Sequence, residues 1–221
     1  MAKRFVSNKD ETARLFENDF LEKFTHVHFT VPLFIYVPVI LFLLYHTAAK
    51  LPITMAAAAG MFVFGFFAWT LTEYVLHRFV FHYEPKTKLG RDIHFLFHGI
   101  HHDYPNDSTR LVMPPVVSIP LAFLFGSLFW LVFGPNYFPT MFAGYLVGYL
   151  CYDMIHYATH HFSLKSRAGL WLRQHHMRHH FQNEHRGYGV STPLWDYVFG
   201  TMPDEKQKTP AAKSGFSESL N

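Results

Sequence analysis

Two stretches of this chain, "HFLFHGIHHDYPND" (94–107) and "LRQHHMRHHF" (172–181), each hold four histidines. Neutral imidazole is a nitrogen donor suited to zinc, copper, iron and nickel, so such density points to bound metal. On a helix, residues three and four apart face the same way. His98, His101 and His102 have that spacing, as do His176, His179 and His180, and His156 and His160 are four apart. His77 and His82 are five apart, about 140° around an ideal helix. That separation suits two neighbouring ions, or a helix that ends between them. Ten histidines exceed what one ion can take, so the set implies two ions, or one ion with redundant histidines, and two is the expected number. A site of about five imidazoles per ion suits a pair of redox-active irons that keeps a position open for dioxygen. Zinc fits the same ligands and can occupy them in a purified sample without being the working metal, whereas structural zinc sites are rich in cysteine. Glu73 precedes His77 by four residues, Asp153 precedes His156 by three, and Asp103 follows His102. Each acid is placed to orient an imidazole through its far N–H.

The remaining histidines receive plainer roles. His26, His28 and His46 lie near the ends of an apolar run and read as interfacial polar residues, and His185 reads as exposed. His94, His161 and His175 each stand beside a stronger ligand candidate. The single Cys151 lies in an apolar run with no partner for a disulfide or thiolate site, so packing is its expected role.

Elements that carry these residues follow from hydropathy. No Asp, Glu, Lys or Arg occurs in residues 24–49, 51–72 or 111–152. About 20 uncharged, mostly apolar residues can span a bilayer as a helix. Four such windows fall near 27–46, 51–72, 112–133 and 137–155, the last two separated by "FGPNYFP", which reads as a tight turn. Soluble helices alternate apolar and charged faces, and these windows are apolar all round. The expected fold is an all-α integral membrane protein: four transmembrane helices in two hairpins, with a helical cap formed by 73–111 and 156–202. Before the first window, Phe16, Phe20 and Phe24 fall at i, i+4, i+8 among charges, so 1–26 reads as an amphipathic helix on the membrane surface. Residues 203–221 are polar, rich in Lys and Ser, and expected to be disordered.

With four spans, 18 of the 19 Lys and Arg residues fall on one side and Lys50 alone on the other. The positive-inside rule places the first side, with the thirteen histidines between 77 and 180, in the cytoplasm. The net charge of +3 suits a cap beside anionic lipid, and no basic stripe is dense enough to suggest nucleic acid. The spans carry no formal charge, which argues against a metal transporter. The clustered histidines lie outside the spans, which argues against a membrane haem carrier.

The ordered set H-x4-H, H-x2-HH, H-x3-H, H-x2-HH around two membrane hairpins resembles the fatty acid hydroxylase superfamily of non-haem di-iron membrane enzymes. That superfamily includes sterol desaturases, sterol methyl oxidases and carotenoid hydroxylases. "RLFENDFLEKF", "TVPLFIYVPVILF", "EYVLHRFVFH", "TRLVMPPV", "GYLCYDMIHY" and "GYGVSTPLWDYVFGT" are similar to segments of its fatty acid 2-hydroxylase branch, over roughly residues 14 to 202. The resemblance implies His77, His82, His98, His101, His102, His156, His160, His176, His179 and His180 as ligands of two irons. It implies O2-dependent hydroxylation of sphingolipid acyl chains at C2, in a bacterial inner membrane or the endoplasmic reticulum. Sterol or carotenoid hydroxylation is the alternative within the superfamily. Eukaryotic members often carry a cytochrome b5 domain with an HPGG motif. That motif does not occur here, so electrons are expected from a separate donor such as cytochrome b5 or ferredoxin. Tyr152 and Asp153, one turn before His156, are expected to hold the polar end of the substrate. Tyr149 is expected to pack, and Trp195 and Asp196 to close the cap.

Overall fold

The computed structural model describes residues 5–204. Among them every regular element is helical: α1 (Asp19–Lys23), α2 (Val31–Lys50), α3 (Met55–Leu76), α4 (Lys88–His94), α5 (Ile100–Asp103), α6 (Pro115–His161), α7 (Arg167–Phe181) and α8 (Leu194–Val198). Two π-helical turns, His77–Phe81 and Phe95–Gly99, follow α3 and α4 directly. Three helices are long and apolar enough to cross a membrane: α2, α3 with its π turn (Met55–Phe81), and α6. Their outer faces expose large apolar side chains, Phe34, Met55 and Leu131 among them, as lipid-facing helices do.

The 47-residue α6 is bent double. Gly134 has φ 66° and ψ 178°, which no helix contains, and it lies at the Gly-Pro step of "FGPNYFP". Only glycine takes that conformation without steric cost. The two arms, 115–133 and 135–161, fold back on each other: Trp130 meets Phe138 with centroids 5.3 Å apart, and Phe129 meets Tyr145 at 5.0 Å. The expected turn is therefore a one-residue break, and Pro139 lies inside the second arm.

That second arm is the core of the bundle. Phe142, Tyr145, Leu146 and Tyr149 are buried against Tyr36 and Ile40 of α2 and Trp69 of α3. α3 and α6 approach backbone to backbone: a Cβ on Gly65 would strike the Met141 carbonyl, and one on Gly144 the Phe62 carbonyl. In lipid, where apolar burial adds little between helices, such close approach supplies the packing energy. Thr140 Oγ1 donates to Thr47 Oγ1 (2.8 Å) and Tyr36 OH to Ser118 Oγ (2.9 Å), two hydrogen bonds that tie helices together inside the bundle.

The leader departs from expectation. Residues 5–18 are not helical, and helix is confined to the five residues of α1. The leader bonds instead to the last residue of α5 and to the segment after it. Val6 N and Ser7 N donate to the Asp103 carbonyl (2.9 and 3.1 Å), and Ser108 N donates to Asp10 Oδ1 (3.0 Å). The Arg110 guanidinium donates to the Ala13 carbonyl (2.5 Å) and to Glu22 Oε1 (2.8 Å). Those partners outcompete the i→i+4 pattern, and the leader becomes a strap over the histidine-rich end. Of the expected tail, 205–221 lies outside the described residues.

Candidate metal centre

Ten histidines converge at the end of the bundle where α3 and α6 finish. They form two groups: His77, His82, His98, His102 and His179, and His101, His156, His160, His176 and His180. In each group one ring nitrogen per residue lies within 4.8 Å of all the others. The groups adjoin, with the His102 and His180 rings 4.4 Å apart. Both H-x2-HH triads are shared: the first sends His98 and His102 to one group and His101 to the other, and the second divides His179 from His176 and His180.

His77 and His82 serve one group although an α-helix would point them about 140° apart. The reason is the π turn. His82 N donates to the His77 carbonyl (3.1 Å), an i→i+5 bond that brings residues five apart onto one face. The wider turn, which also ends the helix at Phe81 between the two residues, reconciles the spacing within one group.

Seven Nε2···Nε2 approaches of 2.9–3.2 Å occur within the groups among the described residues. Three rings have their tautomer fixed by a backbone carbonyl, which can only accept. His77 Nδ1–H donates to Tyr188 O (2.6 Å), His156 Nδ1–H to Leu111 O (3.0 Å) and His179 Nδ1–H to Arg186 O (2.8 Å). Their Nε2 atoms therefore present bare lone pairs. His98 Nε2 faces three other Nε2 atoms, and one proton could satisfy at most one of them. Converging lone pairs repel unless a cation sits among them, so the donor set fits metal. Burial, reinforced by the neighbouring rings, holds His98, His101, His176, His179 and His180 well below the usual imidazole range. The same causes press His102 down to about 3. The rings stay neutral and able to ligate.

The acids act differently from the sequence expectation. Glu73 does not reach the His77 ring; it accepts from Val190 N (2.6 Å), Ser191 N (2.8 Å) and Ser191 Oγ. Asp196, fully buried, accepts from Tyr188 N, Gly189 N, Thr201 Oγ1 and His175 Nε2 at 2.7–3.0 Å. The two acids hold successive N–H groups of the loop 188–191, Asp196 the first two and Glu73 the next two, and that loop supplies the carbonyl that orients His77. His175 is thus a partner of Asp196 and not of a metal. The Asp103 side chain makes no hydrogen bond to His102; Glu184 Oε2 is the carboxylate near His102 Nδ1, at 3.9 Å. His94 and His161 stand outside both groups. The carbonyls of Leu111, Tyr188 and Arg186 had no signal in the sequence, since a backbone acceptor is the same for any residue type, and Glu184 has no spacing that pairs it with His102.

An apolar cavity of about 430 Å³ adjoins the metal site. His98 of one group and His101 and His156 of the other line it, with Leu15, Phe16, Leu21 and Phe24 of the strap opposite. Tyr152 also lines it, its ring stacked on His156 at 5.7 Å, and its hydroxyl has no hydrogen-bond partner among the described residues. Asp153 does not enter. One residue on along α6 turns its side chain about 100° away, to where Oδ1 accepts from Met113 N (3.4 Å). It braces the segment whose Leu111 carbonyl holds His156.

Fold and site together define an integral membrane protein with a histidine-rich metal centre beside an apolar cavity. The family model "Fatty acid hydroxylase" matches residues 62–201, and the chain belongs to that family. It is 38% identical to a dihydroceramide fatty acyl 2-hydroxylase of Arabidopsis thaliana over 197 residues, covering 89% of this chain and 82% of that one. It is 39% identical to the fatty acid 2-hydroxylase of Rattus norvegicus over 215 residues, covering 87% of this chain and 57% of the rat protein. The hydroxylase domain visible in the structure of full-length scs7p superposes with a TM-score of 0.78 at 37% identity, covering 85% of this chain and 72% of that one.

Proposed function

We propose that this protein hydroxylates C2 of lipid acyl chains, as fatty acids or within ceramides, with O2 at a pair of irons held by the two histidine groups. The observation that carries this reading is the cavity. It is apolar, large enough for an alkyl chain, and walled by ligand candidates of both groups. When bound, the metal pair supplies activation of dioxygen and the oxidising power that breaks a C–H bond.

The chain supplies the rest. The cavity takes the acyl tail and excludes water, while the strap forms its outer wall. The Tyr152 hydroxyl donates to the carbonyl at C1, which registers C2 beside the histidine groups. Asp153 and Glu73 hold the segments that aim His156 and His77. Each turnover consumes O2, two electrons and two protons, leaving one oxygen in the hydroxyl and one in water. The electrons come from a separate carrier protein, such as cytochrome b5 or a ferredoxin. Both arms of α6 cross the membrane, giving four spans, and the excess of Lys and Arg on the histidine side sets that side in the cytoplasm.

Lipid mass spectrometry after hydrolysis of total lipids tests the reading, in a sphingolipid-containing host supplied with an electron donor. Expression of the chain is expected to yield 2-hydroxy acyl products in air only, and His101→Ala at matched protein level none. Hydroxylated sterol or carotenoid in place of the acyl product would move the activity to another branch. No product with a competent donor would end the hydroxylase reading.

A further inference from the structure

Gly187 to Met202 belongs by sequence to the water-facing cap, yet its sole formal charge is Asp196, which is fully buried. α8 within it turns its apolar side chains outward: Leu194 is 43% exposed, Tyr197 73%, Val198 60%, and Phe199 just beyond it 50%. Single exposed apolar residues are ordinary, but four within six positions, with no exposed charge among them, form a patch that water disfavours.

The position of the patch says what covers it. Trp195 Nε1 donates to Thr70 Oγ1 (3.0 Å), and Phe199 stacks on Tyr74 with centroids 5.2 Å apart. Thr70 lies seven residues before His77 on α3, about 10 Å along the axis toward the apolar span. It falls inside the uncharged run 51–72. Beside it α3 exposes Phe67, Leu71 and Val75, so the outer face of α8 continues the lipid-facing surface of the span. α7, by contrast, sets Arg167, Arg173 and Arg178 alongside its exposed Leu170 and Trp171.

From this geometry we propose that 194–199 is seated in the acyl layer of the leaflet nearest the histidine groups, with Leu194, Tyr197, Val198 and Phe199 as its lipid contacts. The inference rests on reading α3 as a membrane span. The inner face of the same short helix carries Asp196, which holds the loop that orients His77. Bilayer and metal centre thus meet across a single helix.

Depth-dependent quenching tests the proposal. In a Cys151→Ala background, Val198→Cys, Phe67→Cys and Glu11→Cys are each labelled with an environment-sensitive fluorophore. The proteins are then placed in nanodiscs with or without lipid brominated along its acyl chains. Glu11 is exposed on the strap among charged and polar neighbours and serves as the aqueous reference. The Val198 label is expected to be blue-shifted and quenched by brominated lipid as the Phe67 label is, with the Glu11 label unaffected. A Val198 label that behaves like Glu11 while Phe67 is quenched would overturn the lipid seat and leave the span intact. A Phe67 label untouched by brominated lipid would instead overturn the spanning reading beneath it. Blue-shifted Val198 emission that ignores bromination and changes with protein copies per disc would assign the patch to a second copy, and also overturn the seat.

Discussion

His77 is oriented by a carbonyl, Tyr188 O, whose place depends on two buried acids some distance from any metal. A carboxylate can accept four bonds, and Asp196 uses that capacity on two backbone N–H groups, a hydroxyl and an imidazole. An amide of the same shape keeps one oxygen and turns two N–H donors toward groups that are themselves donors. Asp196→Asn should therefore loosen the loop without removing any ligand. Groups that orient metal-ligating histidines typically carry about 10–100-fold in metal affinity. The expected outcome is a loss in that range for the ion held by the His77 group, with the other group little changed. Titration of the purified apoprotein with zinc measures it, and two equally tight sites in the variant would sink the argument.

At the scale of elements, the π turn at His77–Phe81 makes a prediction that an α-helix would not. Five residues span it where four would complete an α turn, so the extra residue is what the i→i+5 bond accommodates. Deleting exposed Val80 should convert the turn to plain α-helix with the histidines four apart, still on one face. Inserting an alanine after Phe79 should set them six apart and break the pair. Metal content per protein is expected to stay near the parent value in the deletion and to fall by one ion in the insertion. Equal loss in both would show that the turn does something other than align the pair. The same elements show what was legible in the sequence. Uncharged windows located α2, α3 and both arms of α6, because lipid demands apolar residues all round. Histidine spacing located eight of the ten members of the two groups by helix periodicity, and His77 and His82 break that periodicity and meet through the π turn. The division of each triad between groups was not legible. His101 and His102 point about 100° apart on any helix, and which centre each meets depends on where α6 and α7 lie. The leader misled because its Phe16, Phe20, Phe24 pattern describes a face, whereas its backbone partners come from residues a hundred positions away.

For the molecule as a whole, the metal centre is also a stability device with a definite response to acid. His98, His101, His102, His176, His179 and His180 lie outside the spans and are held neutral by burial. Unfolded, each would take a proton near its ordinary 6.5. Below that pH the unfolded chain is the stronger proton binder. The stability these rings allow is complete above 6.5 and is lost as pH falls, with no relief for His102 until about 3. Each ring costs about 1.4 kcal/mol per pH unit once the unfolded chain is protonated. Several rings act in the same direction, so the loss is steep against the roughly 5–15 kcal/mol of a typical domain. The apoprotein should therefore melt at steadily lower temperature from pH 7.0 downward. Metal that binds only the folded state adds a constant increment and keeps the rings unprotonated, so the loaded protein should trace a higher but parallel curve. Thermal melts of apo and zinc-loaded protein in one detergent, from pH 7.5 to 5.0, measure both curves. A level apoprotein curve would mean that the rings accept protons inside the fold, and that the two groups are wetter and looser than seven imidazole contacts near 3 Å allow.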